Sequence, residues 1–319
     1  MTETEYHLLD ETPPGHRSGF VAVIGRPNVG KSTLVNRIVG QKVAIVSPKP
    51  QTTRNRILGI LTREDVQVIF VDTPGLHRPR HRLGQAMVAA AAAAIPDADV
   101  VLFMVDVSAP PTDEDRMIAH LIRKQTEAPV VLVLNKMDLL PAEKVKPHTQ
   151  SYWELASDLI PPTGGRMAGG GWMMTVATEG VNLDKLLELI VEALPEGPRY
   201  YPGDQVTDQT EREIAAELIR EQVLRYTRQE VPHAVAVVVE EFKERENNVI
   251  YVGANIFVEK NSQKGIIIGH KGQMLRQIGT AARREIERMT GGRVYLDLWV
   301  KVRKGWRRDE RELRRLGYG

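Results

Sequence analysis

Apolar runs punctuate the first half of the chain: Phe20–Ile24, Ile57–Leu61, Val66–Val71, Val100–Val105 and Val130–Leu134. They are close to continuous rather than alternating, as strands buried on both faces of a largely parallel sheet are. Between them lie stretches with helical spacing. One carries Leu34, Val35, Ile38 and Val39; the others are Leu83–Ile95, Thr112–Gln125, Glu143–Leu159 and Asn182–Leu194. Strands alternating with helices predict a doubly wound α/β fold with a mostly parallel sheet. Before the last helix, Pro161–Gly171 is rich in Gly and Pro and reads as a surface loop with no assigned function.

The pattern changes after Pro195–Gly203, a stretch dense in Pro and Gly that reads as a linker. A helix is expected over Asp208–Thr227, then strands over Ala234–Val239 and Val249–Val258, with a charged, turn-like Glu240–Asn248 between them. A further helix carries Leu275, Ile278, Ala282, Ile286 and Met289 at three- and four-residue spacing. A final strand alternates, with Val294, Leu296, Leu298, Val300 and Val302 on one face. The chain thus divides into a polar tail (1–17), an α/β domain (18–196), a linker (197–207), an α+β domain (208–303) and a basic tail (304–319).

Composition sharpens this in three ways. There is no Cys, which excludes disulfides and thiolate metal sites and fits a cytoplasmic setting. Neither a signal peptide nor a membrane span is expected. The net charge of +2 conceals an asymmetry: from Lys260 onward there are 16 Lys and Arg against 6 Asp and Glu. A basic end on an acidic body suggests a polyanionic partner, although a solvated charged helix would read the same.

Three polar motifs sit at the carboxyl ends of apolar strands, where open α/β sheets bind ligands. Gly25-Arg26-Pro27-Asn28-Val29-Gly30-Lys31-Ser32, followed by Thr33, fits G-x4-G-K-[ST] between a strand and a helix. Its backbone N–H groups and the helix dipole favour phosphate; Lys31 would reach the outer phosphates and Ser32 would hold Mg²⁺. Asp72-Thr73-Pro74-Gly75 offers a second group for Mg²⁺ and a glycine whose N–H can approach a terminal phosphate. Asn135-Lys136-Met137-Asp138 offers a carboxylate, Asp138, for guanine N1–H and N2–H₂, a loop brace in Asn135 and a stem along the base in Lys136. A site with such an acceptor rejects the wrong base strongly.

This set resembles that of translation-factor-class GTPases. The resemblance implies that GTP and GDP bind with Mg²⁺, and that GTP is cleaved to GDP and phosphate. It makes Asn28, Lys31, Thr53, Asp72 and Gly75 the catalytic set. Thr53 would join Ser32 and Asp72 at Mg²⁺ when the γ-phosphate is present, with Thr52 the alternative. Where Ras-type enzymes place a water-orienting Gln, this chain has Leu76. Relatives with an Asn at the position of Asn28 use it to hold K⁺. The last guanine motif is Thr175–Gly180, in which the Ala177 N–H would meet guanine O6.

In the second domain, Gly269-His270-Lys271-Gly272 is a G-x-x-G in an α-β-β-α-α-β order. That order resembles the bacterial, type II K-homology (KH) domain, which clamps single-stranded RNA on such a loop. Lys264, Ile267, Ile268, Gly269, His270, Lys271, Gly272, Arg276, Arg283 and Arg284 are the RNA-binding candidates. His77 and His81 read as exposed loop residues, and Trp153, Trp172 and Trp299 as packing residues.

The pairing of the two domains resembles a family of small-subunit ribosome assembly GTPases. It implies a monomer that binds the 3′ end of 16S ribosomal RNA in the 30S subunit. The basic tail, with Trp306, reads as a solvated terminal helix, with contact to phosphates or to the inner face of the cell membrane as the alternatives. Two neighbouring families fit less well. One needs a second N-K-x-D and the other a C-terminal Cys, and neither is present. A membrane-linked signalling GTPase and an RNA-binding module with structural nucleotide stay open as rivals.

Overall fold

The computed structural model describes residues 12–79, 81–160, 171–245 and 248–318. The Gly-rich stretch at 161–170 and the first eleven positions of the N-terminal tail lie outside them. The chain forms two compact units. The first comprises residues up to Ala44, Thr53–Arg78 and Met87–Asp208; the second comprises Ile45–Thr52, Pro79–Ala86 and Gln209 onward.

The first unit is a six-stranded sheet. Its strands are β1 (Arg17–Ile24), β2 (Ile57–Thr62), β3 (Val66–Asp72), β4 (Val100–Asp106), β5 (Val130–Asn135) and β6 (Trp172–Thr175). Their order is β2-β3-β1-β4-β5-β6, and only the β2–β3 pair is antiparallel. The helices are α1 (Lys31–Val39), α2 (Arg82–Ala93), α3 (Asp113–Gln125), α4 (Val145–Ala156) and α5 (Leu183–Ala193). Leu34, Val35, Leu186, Leu187 and Ile190 of α1 and α5 cover one face, over Val21, Val68, Leu102 and Val133. Ala91, Ile118, Ile122, Tyr152 and Ala156 of α2, α3 and α4 cover the other, over Ile24, Ile69, Phe103 and Leu132. Burial on both faces is why these strands read as continuous apolar runs.

The parallel register brings the strand ends level. Asp72 lies opposite Val23, Asp106 opposite Asn135, and Asn135 opposite Thr175. The polar residues that follow each apolar run therefore form one rim.

The second unit contains α6 (Glu211–Tyr226), β7 (Ala236–Arg245), β8 (Val249–Val258), α7 (Asn261–Ile268), α8 (Gln273–Thr290), β9 (Arg293–Val302) and α9 (Glu310–Arg315). The sheet order is β7-β8-β9, with β7/β8 antiparallel and β8/β9 parallel. Thr210 caps α6 with Glu213 in a reciprocal box. Leu218, Ile219, Ile267, Ile278, Ala282 and Ile286 pack on Val237, Val252, Ile256, Val294 and Val300.

Two expectations change here. The charged segment from Glu240 is not all turn: β7 runs on to Arg245 past a bulge between Val239 and Glu241. β7 is an edge strand, so its charged side chains reach water without breaking the ladder. The basic tail is not simply solvated. Trp306, Leu313, Leu316 and Tyr318 are buried, Trp306 stacks on Tyr318, and its Nε1 donates to the Ala234 carbonyl at 3.1 Å.

Candidate nucleotide site and nucleic-acid groove

The phosphate loop leaves β1 and enters α1 through Gly30, whose φ of 111° only glycine adopts freely. Lys31 is buried and its ammonium donates to the carbonyls of Gly25 at 3.2 Å and Arg26 at 2.9 Å. Burial pulls its pKa down to about 8 against the opposing pull of Asp72. Arg26 is turned away: its Nε donates at 2.7 Å to Asp115, fully buried at the start of α3. Asn28 is exposed, with φ 64°. Pro27 and Gly75 meet closely, since a Cβ at position 75 would lie 2.4 Å from the Pro27 nitrogen. Thr73 is buried and donates to the Val23 carbonyl at 2.7 Å, which fixes the start of the turn through Pro74.

Three oxygen-bearing side chains converge near Lys31. Ser32 Oγ donates to Asp72 Oδ2 at 2.6 Å and lies 2.8 Å from Thr53 Oγ1. Asp72 is fully buried; burial raises its pKa to about 6 despite Ser32, Lys31 and Thr53. Its Oδ1 is buried with no hydrogen-bond partner among the described residues. A buried carboxylate with a spare lone pair, flanked by two hydroxyls, suits Mg²⁺, which takes one or two carboxylates plus phosphate oxygens. Thr52 Oγ1 instead donates to the Lys49 carbonyl at 2.7 Å.

The base end is organised by Asn135. Its Nδ2 donates to the Val29 carbonyl at 2.8 Å, and its Oδ1 accepts from Thr175 Oγ1 and from the Ala177 N–H, both at 3.0 Å. The Ala177 N–H, expected to face guanine, is thus engaged with the brace. Lys136, at φ 65°, pairs with Asp106 at 2.6 Å. Burial alone would raise the Asp106 pKa, but Lys136 and Ser108 hold it below the usual carboxylate range. Asp138 is exposed on the turn that follows.

The structure corrects the expected exposure of one histidine and three tryptophans. His77 is buried, its Nδ1 2.9 Å from the Gly75 carbonyl, because the loop curls back on itself there. Trp153, Trp172 and Trp299 are 39%, 40% and 44% exposed, so none is a core residue.

In the second unit α7 ends at Gly269, whose φ of 71° and ψ of 179° exclude other residues. A Cβ there would also lie 2.6 Å from Met274 Cβ. Gly272 faces open space, with nothing within 4 Å of where its Cβ would be. A groove of about 400 Å³ runs from it along Leu275, Arg276, Gly279 and Arg283 to Leu296 and Leu298. Lys271 and His270 are exposed at its mouth, Lys264 and Ile268 half-buried. Ile267 is fully buried in the core, so it shapes the loop and does not touch a ligand. Arg284 is exposed but does not line the groove.

Residues 20–136 match the family of 50S ribosome-binding GTPases, and residues 230–307 match the KH domain. The chain is 49% identical over 303 residues to GTPase Era of Halothermothrix orenii, covering 95% of this chain and 99% of that one. The chain belongs to the Era family of GTPases. GTPase Era of Caldanaerobacter subterraneus subsp. tengcongensis is also 49% identical, over 306 residues that cover 95% and 98% of the two chains. A crystal structure of Era with MgGDPNP and nucleotides 1506–1542 of 16S ribosomal RNA superposes with a TM-score of 0.89 at 40% identity, over 95% of this chain and 99% of that one. A point variant of Aquifex aeolicus Era bound to GDP·AlF₄⁻ gives 0.88 at 40% identity, with the same coverage.

An Era-family chain is a GTPase, and the rim geometry accounts for the parts that the motifs named. It also reveals three contacts that motif reading missed. Asp106 holds Lys136, Thr175 braces Asn135, and Asp115 holds Arg26. Asp106 and Thr175 were findable only through register, as the residues facing the N-K-x-D strand.

Proposed function

We propose that this protein binds the 3′ region of 16S ribosomal RNA in its KH groove and assists assembly of the 30S subunit, with RNA access set by the bound nucleotide. The observation that carries the RNA half is the groove itself: an open Gly272, apolar walls and Arg276 and Arg283 along one side. Apolar walls take bases and guanidinium groups take phosphates, as KH recognition requires. The likeness to an Era chain crystallised on 16S nucleotides 1506–1542 supports this choice of RNA. On the nucleotide side, Ser32, Thr53 and Asp72 would hold Mg²⁺, which would supply positive charge against the phosphates. Lys31 and the loop N–H groups bind the phosphates. Asp138 takes the guanine edge.

Leu76 is buried and cannot orient water. To Asn28, exposed on the loop, we assign the role of holding K⁺ beside the phosphates, where a cation would offset developing negative charge. No helix among the described residues is long and apolar enough to cross a membrane. With Trp306 buried and Arg303 and Arg307 paired to Glu312 and Glu259, the tail is built as a cap on the KH body, which disfavours the membrane reading.

The deciding experiment measures affinity for a 16S 3′-end oligonucleotide with a non-hydrolysable GTP analogue and with GDP, together with steady-state phosphate release in K⁺ and in Na⁺. We expect binding to be clearly tighter in one nucleotide state and turnover to be faster in K⁺. Equal RNA affinity in both states removes the coupling. Equal rates in both salts remove the role given to Asn28.

A further inference from the structure

The outer face of the KH sheet is a feature that this reading leaves unused. β9 alternates: Val294, Leu296, Leu298 and Val300 face the helices or the groove, which leaves Arg293, Tyr295, Asp297, Trp299 and Lys301 on the opposite face. Tyr295 and Trp299 are 58% and 44% exposed, two open aromatic residues on one face of a single strand. Tyr295 stacks beside Tyr251 of β8, with ring centroids 6.0 Å apart and planes 19° apart. Arg245 also lies over the Tyr251 ring, 3.8 Å from its centroid, with Lys243 at 5.7 Å. The Tyr295 ring is therefore braced by Tyr251 while more than half of the residue stays exposed.

We propose that this face is a second RNA-contact surface, on which Tyr295 and Trp299 stack unpaired bases while Arg293, Lys301 and Arg245 hold the flanking phosphates. The inference rests on the RNA-binding reading above. Three observations favour nucleic acid over a protein partner. Every base offers a π-face, so open aromatic rings bind single strands of any sequence. The row is cation, aromatic, acid, aromatic, cation, so positive charge sits at its two ends where a backbone would enter and leave. Lys243 is matched by Glu241 at 2.6 Å, and Asp297 lies between the rings; phosphates are thus steered to the ends and bases to the middle. Third, β9 is an edge strand of the sheet, and its inward residues Leu296 and Leu298 wall the groove. A strand leaving the groove has only to cross that edge to reach Trp299 and Tyr295. The two rings are four residues apart, about 13 Å along an extended strand, which is room for one RNA segment to use both.

The test uses the full chain, with the Tyr295→Ala/Trp299→Ala double variant and the Tyr295→Phe/Trp299→Phe variant. Two single-stranded RNAs of shared sequence are used, one long enough only for the groove and one extended to reach the outer face. The expected result is that the Ala variant loses about tenfold to a hundredfold in affinity for the long RNA and less than about twofold for the short one. The Phe variant should retain long-RNA affinity, and melting temperatures should match because both side chains are exposed. Long-RNA affinity unchanged from wild type in the Ala variant overturns the proposal. So does an equal loss for both lengths, which would place the effect in the groove. Intact binding to both naked RNAs with lost binding to 30S particles would assign the face to a ribosomal protein instead. If the wild-type chain binds neither RNA while Gly272→Asp behaves identically, it is the RNA-binding reading that fails, and this inference falls with it.

Discussion

Asn135→Ala tests whether the base end of the site is built by bracing or by direct contact. The side chain makes three hydrogen bonds, to the Val29 carbonyl, from Thr175 Oγ1 and from the Ala177 N–H, and is 3% exposed. Removing it strands three buried polar groups on three different segments. Each unpaired group costs about 1–3 kcal/mol, less where water enters the space left behind. A total of about 4 kcal/mol is a fair expectation, and for a domain of this size each kcal/mol moves the melting point by about 2–4 °C. Calorimetry should therefore show the first unit melting roughly 8–16 °C lower, with part of the loss restored by saturating Mg²⁺ and GDP. Thr175→Val, which removes one bond and keeps the volume, should cost about 1 kcal/mol and change guanine-nucleotide affinity by less than about threefold. If Asn135→Ala melts within about 3 °C of wild type yet no longer binds guanine nucleotide, the brace is wrong and Asn135 touches the ligand itself.

Other residues give sharper contrasts. Asp138→Asn should lower GTP affinity by about a hundredfold or more and gain affinity for xanthosine triphosphate, whose edge accepts where guanine donates; competition binding with both nucleotides reads this. Thr53→Ala should weaken the Mg²⁺ requirement of triphosphate binding while Thr52→Ala leaves it in place, because only Thr53 Oγ1 lies beside Ser32; a Mg²⁺ titration of analogue binding separates the two. Gly269→Ala should destabilise the KH unit by about 2–3 kcal/mol in denaturant melts, combining a backbone region closed to alanine with the Met274 clash. Gly272→Asp should cost about 1–2 kcal/mol of backbone strain yet abolish oligonucleotide binding through charge repulsion, with GTP hydrolysis in the absence of RNA unchanged.

The parts of the site that sequence alone revealed are those whose chemistry is local. A phosphate loop needs its glycines, lysine and hydroxyl within one short stretch, so they announce themselves. The α/β alternation is equally plain, because a strand buried on both faces can hardly avoid being apolar throughout. Asp106, Asp115 and Thr175 stay silent for the opposite reason. Each is an ordinary polar residue until the parallel register sets Asp106 and Thr175 on either side of Asn135, or packing sets the start of α3 beside Arg26. The length of β7 is hidden in the sequence because a run of charge looks like a strand breaker, whereas an edge strand welcomes it. The exposure of Trp299 contradicts its reading as a packing residue, although the alternation of β9 carried the signal. Once Val294, Leu296, Leu298, Val300 and Val302 are given the core face, period two sends every odd-numbered residue of β9 the other way.

Leu76 ties the catalytic and regulatory sides together. Its side chain is 1% exposed and its N–H donates to the Gly25 carbonyl at 3.1 Å, so the residue after the D-x-x-G glycine is spent on holding the phosphate loop and the Asp72 loop together. The neighbouring close approach of Gly75 to Pro27 works in the same direction. A rim built this way binds and orients a triphosphate well but carries little at position 76 that favours the transition state over the ground state, and only such differential contacts speed the chemical step. Intrinsic turnover should therefore be slow, and acceleration has to come from charge brought to the phosphates from elsewhere. Under the proposed coupling to RNA, slow turnover would be an asset: the triphosphate state would last long enough for the RNA to be found, and whatever completes the site would also end that state.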